Sequence, residues 1–105
     1  MSDVQPIPAG TTTVKLVGVL GSAAGSREIL LPIGNRTTIQ HLVSILMKIV
    51  DKKFFQDLLV EAGTGDPRPN VIILLNDQDC NVFDGLKTHV EPGSRVTIIP
   101  VAHGG

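Results

Sequence analysis

Apolar and polar positions along the chain fall into short blocks whose periods differ. Residues 1–12 carry Pro6, Pro8, Gly10 and a threonine run with little periodic apolar content, and read as a disordered N-terminal tail. From Thr13 to Leu20 the residues are β-branched or apolar (Val14, Leu16, Val17, Val19), which predicts a strand. The small residues Gly21 to Ser26 predict a turn, and Glu28 to Ile33 a second strand. So short a link makes the two an antiparallel hairpin.

The period then changes. Thr37 followed by Gln40 has the form of a capping box. Behind it Ile39, Leu42, Val43, Leu46, Ile49 and Val50 recur at helical spacing. Phe54, Phe55, Leu58, Leu59 and Ala62 repeat that pattern on a shorter segment ending at Gly63. Periodicity alone leaves open whether Asp51 begins a separate helix or only a bend. Residues 63–69 form a Gly/Pro loop. The unbroken run Val71 to Leu75 predicts a strand buried on both faces. A turn at Asn76 to Asp79 leads to a short return strand, Cys80 to Val82. Glu91-Pro92-Gly93-Ser94 reads as a type II turn into a last strand, Arg95 to Ile99. Pro100 cannot donate a ladder hydrogen bond, so residues 101–105 are expected to lack a partner and project as a flexible tail.

Strands and helices in this order predict an α+β domain over residues 13–100, a mixed five-stranded sheet packed on one main helix plus a short second helix. The order suggests a β-grasp topology, with the first and last strands as parallel central neighbours.

The chain's 105 residues suffice for one core, and 42% hydrophobic with 18% charged residues fits a packed globule. A net charge of −1 offers no footprint for nucleic acid or an anionic membrane. No apolar run approaches a spanning helix, and the N-terminus lacks the charged and apolar regions of a secretory signal. With Cys80 alone, no internal disulfide can form, and a reducing cytoplasm is the expected setting. A monomer is expected.

Enzymatic motifs are missing. The glycines near residues 18–25 match no phosphate-binding pattern, and Asp77, Asp79 and Asn81 lack the glycine and glutamate that would complete a calcium loop. Cys80, His41, His89 and His103 have no zinc-ligand spacing. The aromatics are limited to Phe54, Phe55 and Phe83, too few to line a cofactor pocket. Neither enzyme nor cofactor-binding protein is expected, and no metal.

The end of the chain, Gly104-Gly105, is more informative. With glycine at about 7% of residues, two terminal glycines arise by chance in roughly 0.5% of chains. A strand, a proline that ends it and the spacer Val101-Ala102-His103 precede them. A terminal carboxylate is ionised at neutral pH and a poor electrophile, so it acylates an amine or collects sulfur only after activation, typically as a mixed anhydride with AMP. Glycine adds no side-chain bulk and tolerates nearly any backbone angle, which suits a probe threaded into another protein's nucleotide site. The chemistry falls at Gly105 and the catalytic residues on the partner.

The segment Arg68 to Asp79, with Leu86, Val96 to Ile99 and His103-Gly104-Gly105, resembles the ubiquitin-related modifier family. More broadly the chain is similar to the ubiquitin-like β-grasp superfamily, which includes the small subunit of molybdopterin synthase and the thiamine-pathway sulfur carrier. Cys80 stands where that family usually carries tryptophan, and Ile99-Pro100-Val101 resembles the molybdopterin subunit. The resemblance implies adenylation of Gly105 by a ubiquitin-activating-type enzyme that uses ATP. Transfer to target lysines follows, or conversion to a thiocarboxylate for tRNA thiolation or molybdopterin assembly. A conjugating enzyme, and a processing protease if a precursor extends further, would be partners. A ubiquitin-like interaction module with incidental glycines is the third reading.

Strand parity proposes a docking patch. With Lys15 facing solvent, Val17 and Val19 share its face, and Thr97, Ile99 and Val101 share one on the last strand. Were the strands neighbours, Val17, Val19, Ile99 and Val101 would form an apolar patch near the tail's root. Lys15, Lys48, Lys52, Lys53 and Lys87 are candidate acceptors for a further copy, with solvated charge as the plainer reading.

Overall fold

The computed structural model of the chain describes residues 10–101. Five strands form one sheet in the order β2-β1-β5-β3-β4. They are β1 (Thr11–Leu16), β2 (Glu28–Pro32), β3 (Val71–Leu75), β4 (Gln78–Asp79) and β5 (Arg95–Pro100). β1 and β5 lie parallel at the centre, Val14 opposite Val96, and the other pairings are antiparallel. This is the ubiquitin-like β-grasp arrangement.

The helices α2 (Ile39–Val50) and α3 (Lys53–Leu59) cover one face of the sheet. The apolar stripe of α2 buries Ile39, Leu42, Val43 and Leu46, and α3 adds Phe55 and Leu59. Opposite them, Val14, Leu16, Leu31, Val71, Ile73, Val96 and Ile98 project from the sheet, all close to fully buried. A core of this size supplies the hydrophobic drive for a domain without disulfides.

Residues 1–9 and 102–105, which include most of both expected tails, lie outside the described residues. The N-terminal boundary moves, because Thr11 and Thr12 belong to β1 rather than to a tail. Thr12 is wholly buried, and its hydroxyl donates to Ser94 O at 2.5 Å.

The expected strand from Thr13 to Leu20 stops at Leu16. Gly18, at φ 60 and ψ −130, breaks it with a backbone that L side chains rarely adopt. Its carbonyl accepts from the amides of Gly21 and Ser22, opening a one-and-a-half-turn helix, α1 (Val19–Ala24), where a small-residue turn was expected. Leu20 is thereby rotated into the core.

The cap of α2 lies one residue later than the capping box implied. Thr38 accepts from the His41 amide at 3.2 Å, whereas the Thr37 hydroxyl accepts from the Gly34 amide at 2.8 Å. Thr37 is committed to the loop instead, its carbonyl accepting from Val90 N. α2 and α3 are separate: Asp51 takes a left-handed φ of 48 and its amide closes on Met47 O. The second helix ends at Leu59 rather than Ala62.

The return strand also moves. Asn76 and Asp77 are both left-handed (φ 49 and 72), the geometry of a two-residue hairpin turn. β4 therefore pairs at once through Gln78 and Asp79, and Cys80–Val82 becomes a 3-10 turn that drops Cys80 into the core. The Glu91–Ser94 turn closes as expected, Ser94 N to Glu91 O at 3.1 Å.

Candidate functional site

With all the packed helices on one side, the sheet keeps an outer face. Alternation carries Lys15 of β1, Leu30 of β2, Ile72 and Leu74 of β3, and Thr97 and Ile99 of β5 to it. The strand at Val71 to Leu75 is thus not buried on both faces: Ile72 is 42% exposed, Leu74 half-buried and Leu30 51% exposed. In register, Ile72 pairs Ile99 and Leu74 pairs Thr97, so the apolar residues gather where β5 ends. Away from that end the face carries charge, with Leu30 on the edge strand β2 exposed beside Thr13. Lys15 lies opposite Glu28, and Arg95 bonds Asp77 at 2.9 Å.

Of the expected patch, Ile99 lies at that end and Val17 is bonded to β5 beside it, by a different route from the one parity implied. Val17 and Val19 are not in a strand, so parity does not place them. The Val17 amide donates to Ile98 O at 3.0 Å, and a Cβ built on Gly18 would come within 3.9 Å of the Pro100 ring. Val19 is exposed, while Val17, Ile99 and Val101 are half-buried. Ile72 and Leu74 extend the apolar surface and were missed, because an unbroken apolar run reads the same whether its second face is covered or open.

Val101 departs from expectation in one further way. Its amide donates to Asn70 O at 2.9 Å, so one bond continues the β3–β5 ladder past Pro100. Ala102, His103, Gly104 and Gly105, the expected activation segment, lie outside the described residues.

The five lysines are all exposed, in different settings. Lys15 stands on the outer face and Lys48 on the solvent side of α2. The Lys52 ammonium lies 3.4 Å from Ala24 O, where α1 ends, and that of Lys53 lies 3.1 Å from the Asp57 carboxylate. Lys87 rims a cleft of about 560 Å³ between α2 and the 64–68 loop. In that loop Arg68 hydrogen-bonds Asp66 through side chain and backbone and holds its carboxyl down to about 2.

Cys80 is buried, and burial first, then the nearby Asp79 charge, pushes its thiol pKa up. That is the opposite of what activates a nucleophilic thiolate. His41 and His89 are exposed and on separate elements, and His103 lies outside the described residues. Among the described residues, no three His, Cys, Asp or Glu side chains gather as a metal site would require. No described helix is long and apolar enough to cross a membrane.

Comparison with known proteins covers this same ground. The model of the Urm1 (ubiquitin related modifier) family matches residues 13–105, a span that takes in the outer sheet face, the Asn76-Asp77 turn and the final glycines. Ubiquitin-related modifier 1 of Schizosaccharomyces pombe is 32% identical over 69 residues, 66% of this chain and 69% of that protein. The solution structure of Urm1 from Trypanosoma brucei superposes with a TM-score of 0.73 at 29% identity, each chain covered in full. The crystal structure of SAMP1 from Haloferax volcanii gives a TM-score of 0.78 over 91% of this chain and all of its own; at 19% identity it speaks to the fold alone.

Proposed function

From the premise that the chain belongs to the Urm1 (ubiquitin related modifier) family, we propose that it is a protein modifier acylating targets through Gly105. In this reading the Gly105 carboxylate attacks the α-phosphorus of ATP held by a ubiquitin-activating-type enzyme and displaces pyrophosphate. The acyl group passes to a cysteine thiolate of the partner, releasing AMP, and then to a target lysine. The amine attacks the thioester carbonyl, the thiolate leaves, and an isopeptide bond remains. ATP is the partner's substrate, and this chain contributes no catalytic residue.

The observation that carries the reading is the match of one family model from the first strand through Gly104-Gly105. The outer face supports it. Ile72, Leu74 and Ile99 give a partner an apolar surface beside the last strand's end, and apolar surface rimmed by polar residues is what docking sites use. Docking there places the tail's departure point at the interface. A reducing compartment such as the cytoplasm suits the single buried Cys80.

A second reading keeps the activation step and changes the outcome: Gly105 becomes a thiocarboxylate and donates sulfur. Its support is the Ile99-Pro100-Val101 approach, which resembles that of the molybdopterin-synthase small subunit.

The deciding experiment incubates the full chain with its cognate activating enzyme, ATP and a host extract. Conjugation gives ATP-dependent lysine-linked adducts that vanish when Gly105 is deleted. Sulfur carriage gives a C-terminal mass gain from sulfur replacing oxygen, without adducts. Pyrophosphate release or adducts undiminished by the deletion would sink both readings.

A further inference from the structure

The hydrogen bond from Val101 N to Asn70 O sits at the last described residue before the terminal segment. β5 pairs Pro100 with Val71, and Pro100 has no amide to give. The ladder's final donor is therefore Val101, and its acceptor belongs to the residue that precedes β3. That residue is itself held by the surrounding loop. Asn70 N donates to Pro67 O at 2.9 Å, Val71 N donates to the same carbonyl at 2.9 Å, and Pro67 is buried. The Asn70 side-chain amide reaches across to Asp57 O of α3 at 3.3 Å. Asn70 thus ties three parts together: the end of the Gly/Pro loop, the second helix and the root of the tail.

We propose that Asn70 is a positioning residue for activation. Its carbonyl clamps the tail root through the Val101 amide, while its side chain braces the clamp against α3. The proposal rests on the function given above and concerns how the carboxylate is presented. With Val101 held, four residues remain beyond it, and even fully extended they carry Gly105 no more than roughly 14 Å from the clamp. The body docks on a partner's surface; the clamp sets from where, and in which direction, the last four residues set out. Releasing it frees the backbone of Val101, which lowers the share of docked molecules whose carboxylate sits at the nucleotide by about tenfold.

The loss should appear in turnover rather than docking when Val101→Pro is set against Val101→Ala, because both variants take the valine side chain out of the apolar surface and differ in the amide donor. Val101→Pro removes the amide donor, whereas Val101→Ala keeps it while removing the same side chain. The ratio between these two variants isolates the hydrogen bond. Asn70→Ala removes only the brace to Asp57 O.

The test is ATP–pyrophosphate exchange by the cognate activating enzyme across a range of concentrations of each full-length variant. Val101→Pro should lower kcat about tenfold relative to Val101→Ala, with KM within about twofold. Asn70→Ala should lower kcat by less, about threefold, and add nothing in the double variant with Val101→Pro, since both act through one bond. Equal kcat for Val101→Pro and Val101→Ala overturns the clamp, as do losses that simply add in the double variant. A wild-type chain that supports no exchange at all overturns the proposed function and the clamp with it. Exchange by wild type with indifferent clamp variants overturns the clamp alone.

Discussion

Ile98 and Ile99 are neighbours on one strand, identical in chemistry and opposite in circumstance. Ile98 is wholly buried and opposes Ile73 on the sheet face covered by α2 and α3. Ile99 opposes Ile72 on the other face and keeps part of its surface in water, and Ile72 keeps more. The inner face meets side chains of its own chain and converts burial into stability. The outer face leaves apolar area unburied, which contributes little to the fold and is free to be buried by another protein. The same residue type thus serves folding on one side of the sheet and recognition on the other, and only the placement of the helices separates the two roles.

The most direct way to break this comparison is to truncate the two neighbours. Ile98→Ala should destabilise the domain by about 2–5 kcal/mol, since it opens a cavity in a packed interior. Ile99→Ala should cost about 1 kcal/mol or less, measured by urea denaturation of both variants at equal slope. Equal losses would mean that the outer face supports the fold as much as the inner one does.

How much of this was legible in the sequence follows from the same contrast. The stripe Ile39, Leu42, Val43, Leu46 identifies a helix and its buried face, because apolar residues recurring about every 3.6 positions line up along one side of a helix and scatter over both faces of a strand. The parallel central pairing of the first and last strands was suggested by element order and the family resemblance, and the sheet bears it out. Three features stayed hidden. Val71 to Leu75 is apolar throughout, so its alternation between covered and open faces leaves no polar mark. Val17 to Leu20 is at least as apolar as the strand before it, and the break at Gly18 depends on a backbone angle that composition does not encode. The Val101–Asn70 bond pairs positions 31 residues apart in an irregular segment, where no periodic signal exists. What periodicity could not see is concentrated around the tail's root, where the candidate site also lies.

The outer face itself can be tested by charge. Ile72→Asp replaces an exposed apolar residue beside Ile99 without emptying the core. It should raise the KM for activation by about tenfold or more, as loss of a central apolar anchor does. The melting temperature should stay within a few degrees, because the side chain contributes little to folding. A variant that melts like wild type and is activated with an unchanged KM would show that partners dock elsewhere.

The smallest effect belongs to the polar half of the same face. Arg95 and Asp77 form a 2.9 Å ion pair with side chains 52% and 69% exposed. Water and salt screen such a pair, and holding two long side chains in one geometry has an entropic cost, so it adds about 0–1 kcal/mol. Arg95→Ala should therefore leave urea stability within about 0.5 kcal/mol of wild type. Its effect on activation separates two pictures of the outer face. If docking reaches across the sheet to residue 95, removing a rim charge should slow association and flatten its dependence on ionic strength, with dissociation unchanged. If docking is confined to the tail end, association measured by stopped flow at low and high salt should match wild type. The register favours confinement, because Arg95 pairs Thr13 toward the start of β5 whereas Ile99 pairs Ile72 toward its end. The expected outcome is an unchanged rate, and a salt-dependent loss would extend the recognition surface over the whole face.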